Sequence, residues 1–257
     1  KLFNQGIVYK GGVRMSKSHG NTITQDEISK KYGIDTARLF LMFVSNPESD
    51  MEWNGEGIEG ASRFVRKICS TNKFSAADER IEHHKNKFIK EISIDIENFK
   101  FNIALIKLMK WFEIISKKAD KKSFEAFLKL LHPFCPHITE EIWHKIGNKS
   151  FISLEKWPVS DETKINLEFE KEDELVDKVI NDVNNVKKII IDKGKEPSKL
   201  YLYVIPNEKE VYVNNIDEIG LRTGLKVKIF SVADKDKHDP EKKSSKAKPG
   251  KPGIYLE

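Results

Sequence analysis

Most of this chain carries apolar residues at helical spacing, and that pattern constrains its fold more than any other feature. In the stretch from residue 101 to 115, Leu105, Leu108 and Phe112 recur every three or four residues. This spacing places apolar side chains along one face of an α-helix. Prolines and glycines interrupt the pattern at intervals typical of helix ends. The sequence therefore predicts a mainly helical α+β protein.

Caps and helix breakers set the expected boundaries of the helices. Glu27 follows Thr24 by three residues, which is the spacing of a capping box at a helix N-terminus. Gly33 is placed to end that helix, and Asp35 is placed to cap the next one. The pattern predicts an opening strand at residues 2–9 and helices over residues 24–32, 36–45, 55–72, 78–98, 101–119, 123–132 and 136–146.

The last hundred residues have a different character. Ile165, Leu167 and Phe169 alternate with polar residues, as in a strand. Strands are predicted at residues 165–169, 200–205 and 227–232, with a helix over residues 173–192 and a candidate edge strand at residues 253–257. The order strand, helix, strand indicates a small α/β domain.

Positive charge is modest overall and uneven along the chain. Lysine and arginine number 45 against 40 acidic residues, and the formal net charge of +5 permits a polyanionic partner without requiring one. Residues 234–251 hold seven lysines against four acids in a low-complexity stretch. From the sequence, this stretch is either a flexible electrostatic arm or a solubilising linker.

The two cysteines, Cys69 and Cys135, are too few for a disulfide framework and lack the CxxC spacing of zinc sites. Both lie in apolar helical contexts, so we expect them to be reduced and buried.

No apolar run approaches the roughly 20 residues that span a bilayer, and we find no leader pattern. We therefore expect a cytoplasmic protein without membrane contact. Because the chain starts at Lys1 in a strand-like stretch, we also expect it to be cut from a longer protein.

The most informative segment is the loop of residues 10–21, which has glycines near both ends. Lys17 supplies a point charge, and serine hydroxyls and backbone amides lie beside it in the sequence. Such groups stabilise the negative charge that develops on nucleotide phosphates when a bond forms at the α-phosphorus. The loop lacks the GxxxxGK[ST] spacing of a Walker loop. By composition alone, a loop of this kind is more often an ordinary solvated turn.

Four blocks of residues resemble segments of a known family. In chain order they read RMSKSHGN at residues 14–21, YGIDTARLF at 32–40, MEW with GIEGASRF at 51–64, and LHPFCPHITEEIW at 131–143. The first resembles the KMSKS loop of class I aminoacyl-tRNA synthetases. The second and third are similar to YGADTARLF and LEW with GVEGAYRF of leucyl-tRNA synthetases. The fourth resembles LLHPFAPHITEELW of their anticodon-binding domain, so the chain resembles the C-terminal portion of that family.

The resemblance implies three regions. They are the KMSKS loop with the end of the catalytic core at residues 1–54, an anticodon-binding-type helical bundle at 55–158, and a small C-terminal α/β domain at 159–257. The third region is similar, less strongly, to the appendage of archaeal-type leucyl enzymes.

The reaction implied by the resemblance joins leucine to its tRNA. Leucine and ATP, with Mg²⁺, form leucyl-adenylate and pyrophosphate, and leucine then passes to tRNA(Leu). The chain contains no HIGH-like tetrapeptide, so we expect ATP and leucine to bind through a catalytic domain outside it. This chain alone is therefore expected to be inactive and to bind no metal itself.

Two alternatives stay open at this point. A non-catalytic tRNA-binding subunit of a split synthetase would contain the same domains. A related isoleucyl, valyl or methionyl enzyme is disfavoured by DTARLF at residues 35–40, where those relatives tend to read GADALR.

By the resemblance, the loop supplies the catalytic residues. Lys17 would contact ATP and stabilise the departing pyrophosphate, and Arg14 would assist electrostatically. The residues expected to bind ATP are Lys17, Arg14, Met15, Ser16 and Ser18. Two positions depart from the family, because Arg14 replaces the usual Lys and His19 replaces a common Lys, which removes a fixed charge at neutral pH.

Two groups of residues are candidates for contact with tRNA. They are three cations on the first bundle helix, Arg63, Arg66 and Lys67, and the terminal residues Ile254, Tyr255, Leu256 and Glu257. The cations could meet phosphates, which gives salt-dependent affinity without sequence information, although an ordinary solvated face is an equal alternative. The terminal residues are candidates because the C-terminus of archaeal-type enzymes approaches the long variable arm of leucine tRNA.

The remaining patterns favour structural roles. His132, Cys135 and His137 resemble a metal-ligand set, but Pro133 and Pro136 break the helical register that paired ligands on one helix face need. The sequence further predicts core positions for Trp111 and Phe112 and a solvated pair at His83 and His84.

Overall fold

The computed structural model describes residues 4–53, 55, 57–71, 74–116 and 120–257, apart from the side chain of residue 25. The chain forms two compact units, Lys1–Ile165 and Asn166–Glu257. Helices dominate and the sheets are small, which confirms the predicted mainly helical α+β class. None of the described helices combines the length and the apolar character of a membrane span.

The first unit opens with a small sheet in the order β2-β1-β3. Its strands are β1 (Val8–Lys10), β2 (Val13–Arg14) and β3 (Met51–Glu52). β1 pairs antiparallel with β2 and parallel with β3. The opening strand is shorter than the sequence predicts, since the described residues 4–7 lie outside it. The sequence does not predict β3, because two residues are too few to show the alternation of apolar and polar residues that is typical of a strand.

Helices make up the rest of the described first unit, apart from loops and short turns. They are α1 (Gln25–Tyr32), α2 (Ile34–Val44), α3 (Gly57–Cys69), α4 (Glu79–Glu97), α5 (Phe101–Ile115), α6 (Lys121–Leu131) and α7 (Pro136–Lys145). Each lies within a few residues of a predicted helix. The predicted helix ends at residues 72 and 119 fall outside the described residues.

Side-chain caps explain where α1 begins. The Thr24 hydroxyl accepts a hydrogen bond from the Glu27 amide at 3.3 Å, and the Glu27 carboxylate accepts one from the Thr24 amide at 3.1 Å. The predicted capping box is therefore confirmed. The predicted cap at Asp35 is wrong, because α2 has no side-chain cap and the Asp35 carboxylate binds α7 instead.

The bundle helices pack their apolar faces around an aromatic core. Trp111 is fully buried, stacks on Phe88 with ring centroids 5.7 Å apart, and meets Phe127 edge-on at 5.7 Å. Phe112 is also buried. The core positions predicted for Trp111 and Phe112 are confirmed.

Two predictions about exposure in this unit are wrong. His83 and His84 are buried rather than solvated, because they lie on the packed side of α4, where the His84 ring is 6.3 Å from that of Phe88. Cys135 is buried as predicted, whereas Cys69 is exposed near the end of α3. Both cysteines are free thiols.

The second unit begins with α8 (Leu167–Asp192), so the strand predicted at residues 165–169 is wrong. The Asn166 side chain accepts a hydrogen bond from the Glu168 amide at 2.8 Å. Glu168 and Glu170 lie in the first turn, where negative charge complements the helix dipole. Three alternating apolar residues are too few to outweigh these helix-start signals.

A three-stranded sheet in the order β5-β4-β6 completes this unit. Its strands, β4 (Lys199–Val204), β5 (Lys226–Ser231) and β6 (Gly253–Leu256), confirm the three strands predicted after α8. β4 pairs parallel with β5 and antiparallel with β6. Two short helices that the sequence analysis does not predict, α9 (Lys209–Asn214) and α10 (Ile216–Thr223), lie between β4 and β5 in the chain. Leu200 and Leu202 pack with Val179 and Val183 of α8 in one core.

The Lys-rich stretch of residues 234–251 is folded rather than a free arm or linker. The Asp239 carboxylate accepts hydrogen bonds from the amides of Lys243 and Ser244 at 2.7 and 3.0 Å. Burial acts to raise the pKa of Asp239, but these hydrogen bonds outweigh it and lower the pKa. The Tyr203 hydroxyl donates to the carbonyl of His238. This stretch therefore packs onto β4 as part of the second unit.

Candidate functional site: the RMSKS loop

Backbone conformation gives the loop of residues 10–21 its shape. Gly11 and Gly12 have φ values of +64° and +73°, which lets β1 and β2 form a tight hairpin. After β2, the Met15 amide returns to β1 by donating to the Val8 carbonyl at 2.9 Å. A 3-10 turn at residues 17–19 follows, with Ser16 as its N-cap.

Asn21 ties the two ends of this turn together. Its side-chain carbonyl accepts a hydrogen bond from the Ser16 amide at 2.9 Å, and its side-chain NH₂ donates to the Arg14 carbonyl at 3.1 Å. The hydroxyls of Ser16 and Ser18 are 2.7 Å apart. Sequence analysis places Asn21 within the motif but does not identify this role. The available signal is the short polar side chain just beyond a turn, a position from which Asn commonly bonds local backbone.

The predicted ATP-binding residues lie together on this turn. Lys17, Ser18 and Arg14 are exposed, and Met15 and Ser16 are half-buried. Neither Lys17 nor Arg14 forms an ion pair with any carboxylate in the described part of the chain. The turn therefore presents two free cations and hydroxyl groups to solvent, which is an arrangement that suits phosphate oxygens.

The three cations predicted to contact tRNA share one side of α3. Arg63, Arg66 and Lys67 are spaced by three and four residues, and all are exposed. Arg66 also donates to the Ser62 hydroxyl at 3.0 Å, which limits the directions that its guanidinium can take. This face can carry phosphate contacts, and their existence stays a prediction.

The four terminal residues lie on two faces of the second sheet. Ile254 and Leu256 pack against the apolar core, whereas Tyr255 and Glu257 lie on the other side. The Glu257 carboxylate accepts hydrogen bonds from Lys199 at 2.9 Å and from the Tyr201 hydroxyl at 2.8 Å. These partners lower the pKa of Glu257. The ring of Tyr255 packs against those of Tyr201 and His238, and contact of these four residues with tRNA stays a prediction.

The candidate metal ligands of the first unit bind separate partners. His132 Nδ1 lies 2.8 Å from the Thr139 hydroxyl, and His137 Nδ1 lies 2.8 Å from Asp35 Oδ1. Burial raises the pKa of the Cys135 thiol, which keeps it protonated. Among the described residues of this unit, no three His, Cys, Asp or Glu side chains converge on one point.

A clamp between α2 and the start of α7 is a feature that sequence analysis misses. Asp35 Oδ2 accepts from the Ile138 amide at 2.7 Å. Arg38, one turn later in α2, donates to the carbonyls of Pro133 and Phe134 at 2.9 and 3.4 Å. The segment that follows the loop is thus fixed to the helical bundle.

The chain matches models of two protein families. Residues 1–54 match the class I tRNA synthetases (I, L, M and V), and residues 78–202 match the anticodon-binding domain of tRNA ligase. A leucine–tRNA ligase of Fervidobacterium nodosum is 32% identical over 246 residues, covering 85% of this chain and 28% of that protein. One of Thermosipho melanesiensis is 35% identical over 256 residues, covering 83% and 30%.

A solved structure shares the fold. It is a LeuRS of Agrobacterium radiobacter in a ternary complex with tRNA and LeuAMS, with a TM-score of 0.57 and 18% identity, covering 90% of this chain and 32% of that one. The two family matches place the chain among the class I aminoacyl-tRNA synthetases. Within that class it belongs to the leucyl-tRNA synthetase family and corresponds to a C-terminal portion of its members. It spans about three-tenths of the length of these curated relatives.

Proposed function

We propose that this chain is part of a leucine–tRNA ligase and supplies its KMSKS loop and its tRNA-binding domains. The observation that carries the proposal is the RMSKS turn, which Asn21 holds in place while Lys17 and Arg14 remain free. The leucine–tRNA ligases that share 32 to 35% of its residues support the choice of amino acid. A cytoplasmic location belongs to the same proposal.

The proposed chemistry needs positioned charge rather than a covalent nucleophile. The carboxylate of leucine attacks the α-phosphorus of ATP, and pyrophosphate leaves as leucyl-adenylate forms. A terminal ribose hydroxyl of tRNA(Leu) then takes the leucyl group. Lys17 stabilises the negative charge on the departing pyrophosphate, and Arg14 adds a second, more weakly hydrated cation nearby.

The donor set of the turn fits phosphate better than it fits a metal ion. Residues 13–21 offer cations, an imidazole, hydroxyls and an amide but no carboxylate. Mg²⁺ prefers carboxylate, phosphate and water oxygens. The Mg²⁺ expected for the family would therefore be held by ATP and by residues outside this loop, and no step is assigned to it.

The proposed partner is tRNA(Leu). Arg63, Arg66 and Lys67 form an exposed basic face on α3, and phosphate contacts there would position the tRNA without reading its sequence. The anticodon-binding family match over residues 78–202 supports tRNA binding by the chain, and α3 lies outside the matched residues.

Leucine-dependent pyrophosphate exchange tests the proposal. The chain is mixed with the separately produced N-terminal catalytic portion of a leucine–tRNA ligase, and exchange is compared with that of each part alone. We expect exchange only in the mixture, and a loss of about 100-fold with Lys17→Ala. Lys30→Ala, an exposed cation on α1, is the matched control. Binding of tRNA(Leu) without restored exchange would favour the alternative of a non-catalytic tRNA-binding subunit.

A further inference from the structure

The hairpin that carries the RMSKS loop is too short to hold its own position. β1 has three residues, β2 has two, and two residue pairs join them. An isolated two-stranded hairpin is marginally stable in water at best. A misplacement of about 1 Å at a catalytic site can lower the rate about 100-fold. The position of Lys17 and Arg14 therefore depends on what the hairpin packs against.

The segment of residues 50–53, which follows α2 in the chain, runs along β1 and supplies this support. The Ile7 amide donates a hydrogen bond to the Asp50 carboxylate at 2.7 Å. The Trp53 amide donates to the Tyr9 carbonyl at 2.7 Å. These two bonds flank the parallel pairing of β3 with β1. The segment thus holds β1 along its length.

Glu52 extends this support from β1 to the tip of the hairpin. Its carboxylate accepts a hydrogen bond from the Gly12 amide at 3.3 Å. Gly12 lies two residues before Arg14 and belongs to the tight turn between β1 and β2. Glu52 and Gly12 are both exposed, so Glu52 can be replaced without removing anything from the core.

Trp53 joins the segment to the helical bundle. Its half-buried ring meets that of Phe40 edge-on, with the ring centroids 5.3 Å apart. Phe40 is a buried core residue of α2. Gly57 of α3 lies so close to it that a Cβ atom there would be 2.8 Å from the Phe40 ring. The Trp53 ring therefore rests on a firmly packed side chain of the bundle, while its amide binds β1.

We propose that Trp53 and Glu52 are positioning residues for the RMSKS loop. Trp53 fixes the hairpin to α2, and Glu52 fixes the hairpin tip. Lys17 and Arg14 thereby meet the phosphates of ATP in a constant position. Both residues act through the cations of the loop rather than on the substrate. The inference rests on the proposed function and adds to it two residues outside the loop.

Leucine-dependent pyrophosphate exchange in the mixture with the N-terminal catalytic portion tests this role. Urea denaturation first gives the folded fraction of each variant. Trp53→Ala should lower kcat about tenfold and leave the KM for leucine unchanged, because charge on pyrophosphate develops in the transition state. Trp53→Phe keeps a ring on Phe40 and should retain at least about half of the parent kcat. Trp157→Ala removes a tryptophan that bonds Ser93 of α4 and is the control, with unchanged kcat.

The Glu52 variants test the hairpin tip. Glu52→Ala should lower kcat about threefold, because the Gly12 amide loses its acceptor. Glu52→Gln keeps an acceptor oxygen and should retain the parent kcat. Glu48→Ala, at an exposed loop position, is the matched control and should change nothing.

A double variant separates positioning from a purely structural role. If Trp53 acts through the loop, its effect should nearly vanish once Lys17 is removed. In the Lys17→Ala chain, Trp53→Ala should therefore lower exchange by less than about twofold. A purely structural role would give the full loss in both backgrounds.

Amide hydrogen exchange of the 257-residue chain alone measures the docking of the hairpin without catalysis. Trp53→Ala should accelerate exchange at the Met15 amide, which bonds to Val8 of β1, about fivefold. Glu52→Ala should do the same at the Gly12 amide. Trp157→Ala should leave both amides at the parent rate.

Several results would overturn the inference. If hydrogen exchange in the hairpin is unchanged in Trp53→Ala and Glu52→Ala, these residues do not hold it. If the hairpin loosens but kcat stays at the parent value, the positioning role is wrong while the proposed function stands. The same holds if the tenfold loss persists in the Lys17→Ala chain. If Trp53→Ala does not fold, the Glu52 variants decide by the same criteria. If the parent mixture shows no exchange, the proposed function itself fails, and the catalytic role of both residues fails with it.

Discussion

The amide of Ile138 donates a 2.7 Å hydrogen bond to the carboxylate of Asp35, which lies 103 residues earlier in the chain. Ile138 is the third residue of α7, where amides have no partner within their own helix. Cys135, the N-cap of α7, provides no side-chain cap. Asp35 therefore caps α7 from another helix and places negative charge at its positive end.

Replacing Asp35 should destabilise the first unit. Asp35 is 6% exposed, so Asp35→Ala leaves the Ile138 amide in a site that water reaches poorly. We expect the free energy of unfolding to fall by about 1–3 kcal/mol. Urea denaturation followed by circular dichroism measures this change. Glu48→Ala, at an exposed loop position, is the control and should stay within about 0.5 kcal/mol of the parent. Equal stability of the two variants would mean that the cap contributes nothing.

Deleting residues 254–257 should destabilise the second unit, whatever its effect on tRNA. The deletion removes Ile254 and Leu256 from the core and takes away the pairing of β6 with β4. We expect a loss on the order of 3–5 kcal/mol in the free energy of unfolding, measured by thermal or urea denaturation. Tyr255→Leu, which keeps the strand, should cost far less. Loss of leucylation after this deletion would therefore not identify an RNA contact, and a stable truncated chain would contradict the importance of β6.

Lowering the pH should weaken the contact that holds the end of the chain. The hydrogen bonds from Lys199 and Tyr201 lower the pKa of Glu257 below its ordinary value of 4.5. A carboxyl group with a lowered pKa in the folded state stabilises that state fully above its ordinary pKa, and the contribution is lost as the pH falls through the lower value. The stability difference between the parent and Glu257→Gln should thus be constant at neutral pH and shrink below about pH 4.5. Urea denaturation from pH 7 to pH 3 measures it, and a difference independent of pH would rule out this ionic contact.

Apart from the short helices α9 and α10, the helices were accessible from the sequence because their signals are local. Thr24 and Glu27 define the start of α1 within four residues, and the apolar spacing in α5 needs no distant partner. The strand predicted at residues 165–169 is wrong because it, too, rested on a local signal alone. A short alternation competed with the cap at Asn166, and the cap belongs to a helix of 26 residues.

The candidate site was only partly accessible from the sequence. Lys17 and Arg14 could be located because the loop motif is contiguous, but the bond from Asp35 to Ile138 joins residues whose proximity depends on tertiary packing. The ring contacts of Tyr255 were equally hidden. They require the pairing of β4 with β6 and the folding of a Lys-rich stretch whose composition suggested a free arm or linker.

Removing the side chain of Asn21 should loosen the RMSKS turn without removing its charges. The Asn21 carbonyl oxygen is the acceptor for the Ser16 amide, so Asn21→Ala should accelerate hydrogen exchange at Ser16 about fivefold, the equivalent of roughly 1 kcal/mol for one hydrogen bond. Asn21→Asp keeps an acceptor oxygen and loses the donor to Arg14, so Ser16 should stay protected in that variant. Amide exchange followed by NMR measures both, with Lys17→Ala as a control that leaves the tether intact. If Ser16 exchanges at the parent rate in Asn21→Ala, the turn is held by other contacts and the role assigned to Asn21 is wrong.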